Sequence, residues 1–153
     1  MSKYSRLFAI ASLGYLLLSG CLGLVMAYSP LLRGMMRFSH VHAMLIGWIS
    51  MMIFGLAYHV VPRFAGSPLI SDFWQKWHFW CANIALIGMV ITPVLQITQP
   101  QYNPVWYVLF FVFGSLQFIG ILIFVGTMLN ALKVKPPCHG GSGSCCDNKG
   151  CTS

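Results

Sequence analysis

Charged residues are scarce in this 153-residue chain, at 7%, whereas 58% of the residues are hydrophobic. That composition excludes an ordinary soluble domain and predicts an integral membrane protein. The chain also lacks long hydrophilic segments between its apolar stretches, which excludes the large extramembrane domains of receptors. Its two halves show no convincing repeat, so an inverted-repeat transporter has no support.

Four apolar runs are each long enough to cross a bilayer, because a membrane helix needs about 20 residues. They are Leu7–Tyr28, Phe38–Val61, Trp77–Ile97 and Val105–Leu132. Pro30 is expected to break the chain after the first helix, and Pro62 is expected to end the second. The first run lacks a convincing cleavage site, so it should remain in the mature protein. Short connections predict an all-α integral membrane fold, an antiparallel four-transmembrane-helix bundle over residues 1–135.

The lysine and arginine residues indicate how the bundle is oriented. Seven of the nine fall at the N-terminus, in the second connection and in the C-terminal tail: Lys3, Arg6, Arg63, Lys76, Lys133, Lys135 and Lys149. By the positive-inside rule, both termini are predicted to be cytoplasmic, in a prokaryotic cytoplasmic membrane. The net charge of +7 therefore follows membrane topology, and the expected partner is membrane lipid rather than nucleic acid.

Residues 136–153 differ sharply from the bundle, and we expect a disordered, Cys/Gly-rich cytoplasmic tail. Its thiol and imidazole groups suit zinc, copper(I) or an iron–sulfur cluster. They are Cys138, His139, Cys145, Cys146 and Cys151. The spacing matches neither a zinc finger nor a ferredoxin, so a copper or zinc site and a solvated tail without metal both remain open.

His40 and His42 open the second apolar run and are the first candidates for a ligand site, since an imidazole in hydrocarbon is costly without a partner. Helical periodicity places them on nearly opposite sides of the helix. The face of His40 continues through Met44, Gly47, Met51, Phe54 and Tyr58, which suits close packing or a flat cofactor. The face of His42 is aliphatic and is expected to contact lipid or another helix. An interfacial histidine bonded to a carbonyl or to water is the alternative for His40.

Other basic groups lie near both ends of the second helix. Arg33 and Arg37 precede the histidine pair by one or two turns, where they would bind an anionic ligand group or extend toward lipid head groups. His59 and His78 lie near the cytoplasmic interface, where they would form a second metal site or act as interfacial anchors. His40 and His59 are about 28 Å apart along a straight helix, so they cannot share a metal ion.

The segment from Met36 to Arg63, with His40 near its start and Tyr58-His59-Val60-Val61-Pro62 near its end, resembles the second transmembrane helix of the heme-copper oxidase catalytic subunits. That family includes cytochrome c oxidases and nitric oxide reductases. The resemblance implies that His40 is the axial ligand of a heme b, with His42 as the alternative ligand. Arg33 and Arg37 would then bind the heme propionates.

The chain also departs from the oxidase pattern. It lacks the helices and histidines that would hold copper, a high-spin heme and the other face of the low-spin heme, so it is not expected to be a complete oxidase by itself. Met26, at the end of the first helix, is a candidate sixth ligand. A second copy of His40 across a symmetric dimer is another, and an open position would bind nitric oxide or oxygen.

Three functions follow from these observations. The first is a small b-type heme protein that acts in electron transfer, in gas binding or as an accessory respiratory subunit, with a homodimer or respiratory-complex partner. The second is a copper-handling or oxidase-assembly protein that uses the nine methionines, the histidine pair and the tail cysteines as soft ligands. The third is a structural membrane subunit without a cofactor, in which the histidines are interfacial anchors.

Overall fold

The structure, a computed structural model, describes residues 2–66 and 71–133. The tail lies outside the described residues, and so do all the metal ligands predicted there: Cys138, His139, Cys145, Cys146 and Cys151. The helices are α1 (Lys3–Tyr28), α2 (Pro30–Phe64), α3 (Asp72–Thr98) and α4 (Asn103–Lys133). All four are long and apolar enough to span a membrane, and the described residues contain no strand. The predicted all-α membrane bundle is therefore confirmed.

Local sequence explains where the helices begin. Only Ser29 separates α1 from α2, and Pro30 occupies the first turn of α2, where its missing N–H removes no helical hydrogen bond. The Ser71 side chain accepts a hydrogen bond from the Phe73 backbone and caps α3. A 3-10 turn, Pro100–Tyr102, leads into α4. The helices thus extend beyond the apolar runs that predicted them.

The prediction that Pro62 ends the second helix is wrong, because α2 continues through it to Phe64. A proline near the end of a helix removes one hydrogen bond, and the remaining turns can still form. The chain leaves the helix at Gly66, which has a φ of 62°, a conformation that glycine adopts at little cost. The stop signal is thus the glycine rather than the proline.

The midpoint of α2 is a π-helix, Ala43–Ser50, which begins directly after the histidine pair. The Ser50 hydroxyl donates to the carbonyl of Leu45, five residues earlier, at 2.9 Å. Short π segments within helices often lie at functional sites. This irregularity separates the part of α2 that carries both histidines from the part that carries Tyr58.

Small residues allow the helices to approach closely. An added Cβ at Gly47 would lie 2.7 Å from the Tyr15 side chain, and one at Gly55 would lie 2.9 Å from the Ser5 carbonyl. At Gly88 it would lie 2.3 Å from the Phe113 ring, where α3 packs on α4.

We call the end of the bundle where α1 begins the proximal end, and the opposite one the distal end. In this antiparallel arrangement the histidine pair lies toward the distal end.

Candidate functional site

His40 packs against α1. Its Nδ1 lies 2.9 Å from the carbonyl oxygen of Ser19 and 3.2 Å from the Ser19 hydroxyl. Its Cε1 would lie 3.4 Å from a Cβ added to Gly23, so the ring packs directly against α1 at this position. A carbonyl oxygen can only accept, so Nδ1 carries the proton, and the neutral imidazole keeps its lone pair on Nε2. Histidines that bind metals are usually oriented by such a bond.

His42 lies on a different side of α2. Its ring stacks on Phe38 at 4.0 Å between centroids and also approaches Phe110 of α4 at 6.5 Å. Its Nδ1 bonds to the Phe38 carbonyl at 3.0 Å, within the same helix. His42 therefore also leaves Nε2 without a bond to the backbone, and its ring lies beside α4 whereas the ring of His40 lies beside α1. The two histidines do not converge on one point.

The environments of the two faces agree with the helical phase. Residues that follow His40 on its face are buried in the bundle: Gly47, Met51, Phe54 and Tyr58. Residues that follow His42 are exposed and aliphatic: Leu45, Ile49, Ile53 and Leu56. From Leu45 toward the proximal end, the His42 face of α2 is thus suited to contact lipid.

Arg33 and Arg37 lie on the same stripe of α2 as His40. The three residues recur at positions i, i+4 and i+7 of a regular α-helical segment, so they share one face. His42 is nine residues after Arg33 and lies about 180° around the helix from it. Both arginines are exposed at the distal end. The guanidinium groups therefore accompany His40 and not His42.

Met26 lies on α1, one turn beyond Gly23, and is half-buried. Gly23 is the residue that the His40 ring approaches, so Met26 lies about 4.5 Å further along α1 toward the distal end. Its thioether is thus on the helix that His40 contacts. The described residues place no second imidazole beside the His40 ring.

A groove of about 310 Å³ lies beside His42 at the distal end. Phe38 and Phe110, which both approach the His42 ring, form part of its lining, and Gln96 and Tyr107 contribute polar groups. That volume is at the lower limit for sites that bind small ligands. His40 does not line this groove, because it lies on the side of α2 that faces α1.

His78 is fully buried, so its predicted role as an interfacial anchor is wrong. Its Nδ1 lies 2.9 Å from the hydroxyl of Tyr58, which is itself only 1% exposed. Aromatic rings surround the imidazole, with centroids at 4.9 Å for Phe8, 4.7 Å for Phe54 and 5.6 Å for Phe124. Its Nε2 is buried without a hydrogen-bond partner. The sequence contains no local signal for this arrangement, because four different helices build it.

His59 is adjacent to Tyr58 in the chain, but the hydrogen bond of His78 is made with Tyr58. The Nδ1 of His59 is also buried without a hydrogen-bond partner. Within residues 2–66 and 71–133, no group of three or more His, Cys, Asp or Glu side chains is placed to hold a metal ion. In this part of the chain, the second metal site suggested for His59 and His78 is therefore not supported by a cluster of three or more ligands.

Comparison with known proteins points to one family. The family described as Cytochrome C and Quinol oxidase polypeptide I matches residues 3–98, which contain α1, α2 and α3. Cytochrome c oxidase subunit 1 of Rhodobacter capsulatus is 43% identical over 62 residues, which cover 37% of this chain and 12% of that protein. A cytochrome c oxidase subunit 1 homolog of Agrobacterium tumefaciens (strain T37) is 32% identical over 68 residues, which cover 44% of this chain and 12% of that protein. The chain thus matches only a small part of the length of these relatives.

Proposed function

Since the chain belongs to the Cytochrome C and Quinol oxidase polypeptide I family, we propose that it is a small b-type heme-binding membrane protein with His40 as the axial ligand. It acts in electron transfer, in binding of nitric oxide or oxygen, or as an accessory subunit of a respiratory complex. The observation that carries this proposal is the bond from His40 Nδ1 to the Ser19 carbonyl, which leaves Nε2 as a lone-pair donor. The family match includes this residue.

The donor groups around His40 fit a heme. One imidazole is oriented by a backbone carbonyl, and Arg33 and Arg37 follow on the same face of α2, where they would bind the propionates through charge-assisted hydrogen bonds. Bound heme would supply one-electron redox chemistry or a ligand position for a diatomic gas. The Ser19 carbonyl fixes the imidazole tautomer, the two arginines would neutralise the propionates, and the apolar distal helices would exclude water. His42 is the alternative ligand, but it lies on the opposite face from the arginines.

His40 is only partly buried, and a heme bound to it would have either a sixth ligand or an open position on its far side. Met26 would supply a sixth ligand from α1, or a second copy of this chain would supply its own His40 across a two-fold axis. A partner subunit of a respiratory complex is the third candidate. A spectral shift induced by carbon monoxide requires a vacant sixth position or a sixth ligand that can be displaced, so the absence of a shift would indicate a firmly bound sixth ligand.

The charge distribution supports one orientation. The proximal end of the described bundle carries five basic residues, Lys3, Arg6, Arg63, Lys76 and Lys133, whereas the distal end carries Arg33 and Arg37. We therefore place the proximal end in the cytoplasm of a prokaryotic cell and the heme near the outer surface of its cytoplasmic membrane. Tryptophans Trp74, Trp77 and Trp80 lie exposed at the proximal start of α3, as an interfacial belt requires.

The test is a heme titration of the full chain purified in detergent. We expect one heme per chain or per dimer, loss of at least tenfold in heme affinity for His40→Ala, and little change for His42→Ala. His59→Ala is the matched control, because it removes an imidazole from the same helix at the proximal end. Unchanged heme affinity in the His40→Ala variant would reject His40 as the ligand. Copper retained without heme would favour a copper-handling protein instead.

A further inference from the structure

The side of α3 that faces α4 brings together an imidazole, a thiol and a glycine. A Cβ added to Gly120 of α4 would lie 3.4 Å from His78 Cδ2 and 3.9 Å from Cys81 Cβ. His78 and Cys81 therefore both approach the same bare point of α4. They are three residues apart on a helix, a separation that places their Cβ atoms about 5–6 Å from each other.

The His78 imidazole has unused bonding capacity at this place. Its residue is fully buried, its Nδ1 is held by the Tyr58 hydroxyl, and its Nε2, which is bonded to the Cδ2 that faces Gly120, has no hydrogen-bond partner. A buried polar atom without a partner is energetically costly and calls for an explanation such as a bound ion. Cys81 is a free cysteine and is half-buried.

We propose that His78 Nε2 and Cys81 Sγ form a binding site for a single copper(I) ion between α3 and α4. The proposal is independent of the heme at His40. Thiolate ligands favour copper(I), zinc or iron–sulfur clusters, and imidazole suits copper and zinc. Metal–nitrogen and metal–sulfur bonds of about 2.0 and 2.3 Å, the lengths at zinc sites, would require Nε2 and Sγ about 4 Å apart. The Cβ spacing of an i, i+3 pair is compatible with that separation.

Charge balance distinguishes copper(I) from other metals at this place. Binding releases the Cys81 thiol proton to water, so a copper(I) ion with one thiolate and one neutral imidazole carries no net charge. A divalent zinc ion on the same two ligands would keep one uncompensated positive charge in the apolar core and would also need two more ligands. Met51 and Met128 belong to the buried cluster that includes Phe54 and Tyr58, so thioether sulfurs are present in the same core.

The experiment uses the full chain with the tail cysteines replaced, so that the tail cannot bind the metal: Cys138→Ser, Cys145→Ser, Cys146→Ser and Cys151→Ser. Copper(I) is titrated anaerobically against a chromophoric copper(I) chelator in detergent micelles. We expect one copper(I) per chain and at least a tenfold weaker affinity for Cys81→Ser. The exposed thiol of α1 provides the matched control, and Cys21→Ser should leave the affinity unchanged.

Two more variants protect the test against misfolding. His78→Gln keeps a hydrogen-bonding side chain for Tyr58 and should weaken copper(I) binding at least tenfold, with helical circular dichroism unchanged. Gly120→Ala places a methyl group at the proposed site and should weaken binding without removing a ligand. X-ray absorption should report nitrogen and sulfur neighbours. No copper(I) retained by the folded tail-substituted chain, or equal affinities in Cys81→Ser and Cys21→Ser, would overturn the proposal.

Discussion

Replacing Tyr58 by phenylalanine removes one oxygen from the core and leaves the ring volume unchanged. The deleted hydroxyl lies 2.9 Å from His78 Nδ1, and the other ring nitrogen of His78 already lacks a partner. The variant therefore leaves a fully buried imidazole without any hydrogen bond. Interhelical hydrogen bonds in membranes average about 0.6 kcal/mol with a maximum near 1.7, and a buried unpaired group costs about 1–3. We expect the free energy of unfolding to fall by about 1–2 kcal/mol.

The assay is reversible unfolding in mixed micelles of increasing dodecyl sulfate content, completed as a double-mutant cycle with His78→Phe. The double variant has neither polar group, so it should be less destabilised than the sum of the single variants. Tyr15→Phe is the matched control: its hydroxyl bonds to Asn83 at 3.0 Å, but Tyr15 is half-buried, so its loss should cost less. Additive effects in the cycle, or equal losses for Tyr58→Phe and Tyr15→Phe, would refute the reasoning.

Two further predictions concern packing and charge. Gly88→Ala should destabilise the bundle by about 1–3 kcal/mol in the same unfolding assay, because its methyl group would overlap the Phe113 ring. Gly114→Ala is the control and should be neutral, since no atom lies within 4 Å of its added Cβ. Equal losses of stability in the two variants would contradict the packing of Gly88 against Phe113. Removing both positive charges with Arg33→Gln and Arg37→Gln should lower the heme reduction potential by tens of millivolts in a redox titration, since cations near the propionates favour the reduced form. An unchanged reduction potential would indicate that both arginines contact lipid head groups rather than the heme propionates.

The part of the site that depends on one helix was predictable from the sequence. Helical periodicity separated His40 from His42 and assigned the buried face to His40, and the structure shows Gly47 and Met51 buried on that face. Periodicity is a property of a single segment, so it needs no knowledge of neighbours. The family resemblance through the segment that ends at Arg63 was confirmed by the family match to residues 3–98.

The parts that depend on several helices were not predictable. Charge and position suggested an interfacial His78, yet the helix packing of Gly120 against α3 and the aromatic rings of three other helices bury it completely. The π-helix after His42 has no local sequence signal, and the helix continues through Pro62 and ends before Gly66, where packing rather than the proline decides. These errors have one cause: tertiary contacts decided what local preference left open.

The central claim is that His40 binds a heme, and a reduced-minus-oxidised optical spectrum of the purified, heme-supplemented chain tests it most directly. The account predicts a Soret band and the difference spectrum of a b-type heme in the unmodified protein and in His42→Ala, and the loss of both in His40→Ala. A chain that shows no Soret band after supplementation, or a spectrum that persists unchanged in the variant with both His40→Ala and His42→Ala, would contradict it.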